Sequence, residues 1–492
     1  MPDLQMLNTI NAAISSVLSV FRGVCDPHDS VEFAMAMLML KYLTDTGLED
    51  SPENKKLASG VHYFVPEKAN FYSLHAARSQ PGNGARIDKA LELIDASNSG
   101  LDKMSLFVSF DSPRLGSADQ KDRILCRLLE AFRTPALDFR VVPSGDIQGA
   151  AAAASEAILR YTGEASGKRG GEYLTPPELS QLIARLMQPS EGEKIYDPFC
   201  GAAWTLTACN KFARQNSSGK GCLLYGQDAN GNTLGLAKMN LLLHGETDCL
   251  LAWGDTLRNP SFLDADGQLS RFDVVVSHPP FSLREWGHEW AENDPFGRYW
   301  RGIPPRASGD FACISHMIAS LAPERGRMAV IVSLGVLFRG GAERQIREHL
   351  VKENLIDAVI ALPPKMLANT GIQTAILVLR RKKADDGILF IDAGRSYQQG
   401  KILNVLREPD LDQIETTYQA RINVDQYSKL ASQTEVAGND YNLSVARYVE
   451  ILEEEEEELD LASLRAERAV LRSELERLEE KLAILLKEIG HA

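Results

Sequence analysis

The sequence predicts an α/β protein in three parts: an all-helical N-terminal segment, a doubly wound parallel sheet, and a C-terminal coiled-coil helix. Three observations predict it. Helix-period apolar spacing dominates the first 165 residues, short apolar runs separated by helix-length segments begin at residue 194, and leucines at heptad spacing close the chain.

Residues 6–47 repeat apolar side chains at helical spacing, and Phe33–Leu40 is apolar almost all round, as expected of a helix buried between other helices. Further helical patterns follow at Ile87–Ala96 and Lys121–Phe132, beyond the turn-forming Pro81–Gly84. The Gly-rich stretch 163–171, with Lys168 and Arg169, reads as a linker or exposed loop. Candidate strands are Lys194–Tyr196, Leu223–Gly226, Leu250–Trp253, Phe272–Val276, Met328–Ser333, Ala358–Leu362 and Thr374–Leu379. Ligands of such sheets bind at the carboxyl ends of the strands, so the turns that follow them are where chemistry is sought. The expected division is 1–165 (helical), 166–400 (sheet), 401–450 (extension) and 451–492 (coiled-coil helix).

In the last part Leu471, Leu475, Leu478, Leu482, Leu485 and Ile489 step by 4, 3, 4, 3, 4, which fits a coiled-coil seam. Two readings stay open, a docking helix for another chain and a helix packed back on its own domain. Residues 451–492 also hold 13 acidic and 6 basic side chains, half of the net charge of −14. An acidic total argues against a protein that coats nucleic acid unaided, although a local basic cleft can exist within it.

With 492 residues, 44% hydrophobic and 24% charged, the chain is an ordinary globular sequence with room for more than one core. Seven cysteines without C-x-x-C spacing point to reduced thiols, and nine histidines without ligand spacing predict no metal. The start lacks a basic segment followed by an apolar one, and the longest apolar stretch is too short to cross a bilayer, so a cytoplasmic protein without membrane contact is expected.

Four turns after candidate strands carry chemistry. Asp197-Pro-Phe-Cys-Gly201-Ala202-Ala203-Trp204 is a small-residue turn into a helix, where backbone N–H groups approach a ligand. Asp228 ends the second strand, suited to the ribose hydroxyls of a nucleoside, and Asp255 follows the third, where it would accept from an adenine amine. The fourth strand runs into Ser277-His278-Pro279-Pro280-Phe281.

That last segment resembles the [Asn/Asp/Ser]-Pro-Pro-[Tyr/Phe] motif of amino-group DNA methyltransferases. Further stretches resemble the modification subunit of type I restriction-modification systems: Gly170–Pro176, Met239–Gly245, Gly335–Gly341, Asn369–Ile372 and Asn439–Tyr448. The resemblance implies a Rossmann-like class I methyltransferase domain that binds S-adenosyl-L-methionine and methylates adenine N6 in DNA defence. Glu172, Tyr173, Leu174, Thr175 and Pro176 would lie by the cofactor's amino-acid end, with Asp197 in the turn, Gly201, Ala202 and Ala203 beneath it, Asp228 at the ribose and Asp255 at the adenine. His278, Pro279, Pro280 and Phe281 would hold the flipped base. The implied partners are DNA, a DNA-specificity subunit docked through the C-terminal helix, a second copy of the chain, and a restriction (nuclease/translocase) subunit.

The sequence departs from the family at the chemistry itself. His278 stands where Asn or Asp is usual, and a neutral imidazole offers one in-plane acceptor where an amide oxygen offers two lone pairs. Ala203 replaces a glycine and adds a methyl where positive φ is disfavoured, and Leu174 replaces an aromatic residue. A catalytically inactive pseudo-methyltransferase that clamps DNA is therefore the rival reading. A protein amide-N methyltransferase is a third, since the Pro-Pro-aromatic motif also occurs there. The charged, aromatic segment from Trp286 to Arg306 reads either as a nucleic-acid edge or as a solvated loop.

Overall fold

The computed structural model describes residues 4–47, 63–98, 101, 107–142, 145–165, 175–246, 248–367, 371–401, 403–450 and 461–488. Residues up to Val449 form one compact unit, and Glu450 onward a second.

The first unit opens with helices α1 (Leu4–Ser19), α2 (Pro27–Thr46), α3 (Phe71–Ala76), α4 (Asn83–Ser97), α5 (Ala118–Ala131) and α6 (Ile147–Ala165). The apolar pattern of 6–47 thus divides into two helices, broken at left-handed Gly23 and restarted by Pro27, whose fixed φ suits a first helical turn. In α2 every residue from Val31 to Lys41 is buried, which accounts for its lack of a polar face. Lys41 can be buried because Asp45, one turn on, pairs with it. Asp45 also accepts from the Tyr72 hydroxyl at 2.7 Å and the Phe139 N–H at 2.9 Å. Helix α6 runs to Ala165, so residues 163–165 of the anticipated loop are helical, and Gly167–Gly171 lie outside the described residues.

The sheet follows, with β1 (Lys194–Asp197), β2 (Leu223–Asp228), β3 (Cys249–Trp253), β4 (Val274–Ser277), β5 (Arg327–Ser333), β6 (Ile356–Ala361), β7 (Thr374–Arg380), β8 (Ile388–Asp392) and β9 (Ser428–Ala431). Among the described residues it has nine strands in the order β3-β2-β1-β4-β5-β7-β6-β8-β9. All seven candidate strands are present, and β8 and β9 add to them. The parallel expectation holds for β3-β2-β1-β4-β5 and for β6-β8, but β7 is antiparallel to both of its neighbours and β9 to β8. No helix is found between β6 and β7 among the described residues, so the chain returns antiparallel instead of crossing over.

Helices α7 (Pro177–Met187), α8 (Trp204–Gln215) and α9 (Gly231–Leu243) precede or connect the first strands, followed by α10 (Asp310–Ala319), α11 (Gly335–Phe338), α12 (Ala342–Lys352), α13 (Glu408–Ala420) and α14 (Gln433–Gly438). Separate apolar clusters pack among the helices and strands. The core of the helical segment includes Trp204 of α8 and Leu236, Met239 and Leu243 of α9. Its anchorage on the sheet layer therefore falls on the helices that start at the turns after β1 and β2.

The second unit holds α15 (Leu461–Glu488). Leu471, Leu475, Leu478 and Leu482 are each more than half exposed. The side chain of Leu485, and Ile489, lie outside the described residues. Among the described residues no helix is long and apolar enough to cross a membrane.

Candidate functional site

A cavity of about 820 Å³ opens at the carboxyl edge of the sheet, where the turns after β1, β2 and β4 meet. This volume suits a nucleoside-sized ligand. Of the residues singled out in the sequence, Thr175, Gly201, Ala202, Asp228, His278, Pro279, Pro280 and Phe281 line it. Glu172, Tyr173 and Leu174 lie outside the described residues.

The β1 turn is built by its own acids. Asp197 is buried; its Oδ1 accepts from the Phe199 N–H at 3.0 Å and the Ser277 hydroxyl at 2.7 Å, tying the ends of β1 and β4 together. Burial pushes its carboxyl up to about 7, and the nearby Asp228 charge adds to the rise. Asp197 is thus a strut beneath the cavity and not part of its wall. Asp228 faces inward: its Oδ2 accepts from the Gly201 N–H at 3.0 Å and its Oδ1 from the Asn230 N–H at 2.8 Å. Burial raises its pKa, and these two N–H groups oppose the rise. Each oxygen keeps a lone pair for a ligand hydroxyl.

Ala203 adopts φ 62°, ψ 26°, the left-handed conformation for which glycine is suited. Its methyl belongs to the apolar core and does not line the cavity, so the departure from glycine falls on backbone strain and leaves the cavity clear. Ala202 is held by Asn240 of α9, whose Nδ2 donates to the Ala202 carbonyl at 2.8 Å. The Ser155 hydroxyl of α6 donates to Asn240 Oδ1 at the same distance.

Pro176 precedes α7, where its carbonyl accepts the N–H groups of Leu179 and Ser180. Asp255 is absent from the lining: its carboxylate accepts from the Leu257 N–H at 2.9 Å and the Arg258 N–H at 3.2 Å, bracing its own loop. Phe199, Cys200, Trp204, Ala229, Asn230, Gly231, Ser282 and Ile372 complete the wall. Asn230 escaped notice because its visible role is to cap α9, whose Asn232 N–H it accepts at 3.0 Å. Ile372, more than half exposed, arrives from the distant loop before β7, and its signal was the Asn369–Ile372 stretch. Asn369 itself lies outside the described residues.

His278 is half-buried, with Nδ1 at 3.3 Å from the Thr175 hydroxyl and its ring 5.2 Å from that of Phe281. Loss of solvent lowers its pKa to about 4, so the imidazole is neutral. The single bond at Nδ1 decides its chemistry. If Nδ1 carries the proton and donates to Thr175, Nε2 is a bare acceptor; if Thr175 donates, Nε2 carries the proton and can only donate.

The segment from Trp286 to Arg306 serves in part as structure. Trp286 is buried, donating from Nε1 to the Pro305 carbonyl at 3.0 Å, and Arg301 forms a two-pronged pair with Glu353 at 2.6 and 2.7 Å. Trp290 and Trp300 stay exposed. Among the described residues no cluster of three or more His, Cys, Asp or Glu side chains forms a metal site.

An acid at the end of β2, a small-residue turn after β1 and a Pro-Pro-aromatic turn after β4, all on one doubly wound sheet, define the fold of S-adenosylmethionine-dependent methyltransferases. The sequence profile described as "N-6 DNA Methylase" matches residues 147–457. The MjaVIII type I restriction enzyme methylase subunit of Methanocaldococcus jannaschii is 32% identical over 428 residues, covering 84% of this chain and 71% of that protein. The HindI methylase subunit of Haemophilus influenzae is 29% identical over 347 residues, covering 68% and 76%. The crystal structure of a type I restriction-modification methyltransferase subunit from Streptococcus thermophilus superposes with a TM-score of 0.79 at 25% identity, covering 91% of this chain and all of that one. The chain belongs to the N-6 DNA methylase family, as a homologue of the modification subunits of type I restriction-modification systems.

Proposed function

We propose that this chain binds S-adenosylmethionine in the cavity and, with a DNA-specificity subunit, transfers a methyl group to N6 of an adenine extruded from duplex DNA. The observation that carries the reading is the meeting of Asp228 and the Gly201 turn with His278–Phe281 on one cavity.

On this reading Asp228 takes the ribose hydroxyls, and Thr175, Gly201 and Ala202 border the cofactor. When bound, S-adenosylmethionine supplies an electrophilic methyl on a sulfonium. The adenine amine is a poor nucleophile because its lone pair is delocalised into the ring, so the site must hold both N–H bonds and turn the lone pair toward the methyl. The Pro279 carbonyl accepts one N–H and His278 Nε2 the other, in the tautomer whose Nδ1–H points at Thr175. Phe281 stacks on the base. The amine nitrogen would take the methyl that the bound sulfonium supplies, leaving a neutral thioether, and the surplus N–H proton would pass to His278 Nε2 or to solvent.

The exposed leucines of α15 and the acidic charge of the chain support a partner that supplies DNA affinity and sequence specificity. A second copy and a restriction subunit complete the assembly proposed for it. The family match favours DNA over a protein amide as substrate.

One observation favours the rival reading, an inactive scaffold that clamps DNA. A single imidazole nitrogen must do what an amide or carboxylate oxygen usually does, and it is available in only one tautomer. Transfer of labelled methyl to DNA by the complex, with N6-methyladenine identified by mass spectrometry, tests both. Labelling by the natural protein supports transfer. No labelling despite cofactor and DNA binding, with activity gained in His278→Asn, overturns it in favour of the scaffold.

A further inference from the structure

Two of the family-like stretches, Gly335–Gly341 and Asn439–Tyr448, are not used by the methyl-transfer site, yet they meet. Between them lies a cleft of about 250 Å³, lined by Phe338, Gly340, Arg344, Arg347, Asp440 and Arg447 among others. Three guanidinium groups face one carboxylate there, in a protein whose total charge is −14.

The three cations are in different states. Arg344 is committed to carboxylates, pairing with Glu348 at 2.8 Å and with Asp440 at 2.7 Å. Arg347 is buried and held by carbonyls, donating to those of Tyr441 at 2.9 Å, Val336 at 3.0 Å and Arg339 at 2.7 Å. These carbonyl oxygens fix the guanidinium in place, and the nearby Glu343 and Asp440 carboxylates offset part of its charge. Burial lowers its pKa to about 10, still protonated at neutral pH. Arg447 is exposed; its backbone N–H donates to the Ser444 carbonyl at 3.0 Å, and its guanidinium has no hydrogen bond or ion pair among the described residues. Phe338, about half exposed, stands in the same wall.

The cleft is also wired to the target-base turn. The Ser282 N–H, next to Phe281, donates to Asp310 Oδ1 at 2.9 Å. Arg339 donates to Asp310 Oδ2 at 3.0 Å, and the Arg339 carbonyl receives Arg347. Since α11 follows β5, which runs parallel to β4, cleft and turn lie on the same carboxyl edge of the sheet.

We infer that this cleft seats a backbone phosphate of the DNA, with Arg447 as its primary contact, Arg347 as fixed positive charge behind it and Asp440 as the carboxylate that moderates it. The inference rests on the DNA reading of the methyl-transfer site. A phosphate held here would fix the strand relative to the turn that receives the extruded base, and like other phosphate contacts it carries no sequence information.

The test uses the full-length chain in complex with a DNA-specificity subunit and a fluorescein-labelled duplex, with affinity measured from about 50 to 200 mM salt. Arg447→Gln, which removes an unpaired surface cation, is expected to weaken binding several-fold and to reduce the salt slope by about one. Asp440→Asn, at a left-handed position that asparagine accepts, is expected to strengthen binding. S-adenosylmethionine affinity should be unchanged in both. Duplex binding with affinity and slope unaltered by either variant would overturn the phosphate seat and leave the methyltransferase reading intact. Absence of any duplex binding by that complex would overturn both. Titration with inorganic phosphate separates the sources: binding abolished by Arg447→Gln, with the duplex slope unchanged, would make this a free-anion site and not a DNA contact.

Discussion

The Ser277 hydroxyl donates to Asp197 Oδ1 across 2.7 Å, joining the ends of two adjacent parallel strands immediately beneath the turn that carries His278. Since that carboxyl is raised from 3.8 to about 7 by burial, the folded state binds a proton that the unfolded chain has released between those values. Stability contributed by the neutral form is therefore present at low pH and is lost as pH rises from about 4 through 7. Asp197→Asn keeps an acceptor for Ser277 and Phe199 while removing the titration. The variant should gain on the natural protein progressively across that window, by roughly 4 kcal/mol at most. Urea unfolding at several pH values checks it, and a pH-independent difference would sink the assignment.

Asn240 joins the helical segment to the turn after β1. Ser155 donates to it and it donates to Ala202, with all three residues buried. Asn240→Ala strands a buried carbonyl and a buried hydroxyl, and should cost about 2–4 kcal/mol by chemical denaturation. Ser155→Ala, which leaves the bond to Ala202 in place, should cost about 1 kcal/mol. Cofactor affinity should fall more in the asparagine variant; equal effects would mean that the link does not position the turn.

These relationships mark the limit of what sequence conveys. The strands were legible because short apolar runs stand between helix-length segments, and the site was legible because its turns follow those strands. The direction of β7 was not, since Thr374-Ala-Ile-Leu-Val-Leu379 is buried throughout and such a run looks the same in either direction. Edge strand β9 is four residues long and half polar, too little for a pattern. Within the site, Asp255 occupies the anticipated position in the chain but does not line the cavity, and its Oδ1 accepts from the N–H groups of its own loop. The contact between Thr175 and His278 spans 103 residues, and nothing local announces it.

Ala203 allows a departure from the family pattern to be measured. A left-handed alanine costs roughly 1–2 kcal/mol relative to glycine, and its buried methyl returns about 0.8 kcal/mol. Ala203→Gly should therefore change stability from almost nothing to about 1 kcal/mol in favour of glycine. Because the methyl does not line the cavity, S-adenosylmethionine affinity measured by calorimetry should stay the same. A large gain in affinity would show instead that the alanine obstructs the cofactor.

The sharpest prediction concerns the pair on which the proposed transfer would depend. Thr175 is the only described side chain hydrogen-bonded to His278, through Nδ1. With Thr175→Val the ring loses that partner, and the proton is expected to move to Nε2, the nitrogen required bare for the adenine amine. The rate of methyl transfer should then fall by about tenfold or more. Nitrogen NMR of labelled histidine reads the tautomer directly and does so even where turnover is absent. With a pKa of about 4, His278 keeps its acceptor above that value and loses it by protonation below, so it should give the rate no inflection near neutrality. An inflection near about 6.5 that disappears in His278→Asn, or a Thr175→Val variant matching the natural protein in both rate and tautomer, would rule out a neutral imidazole poised by Thr175.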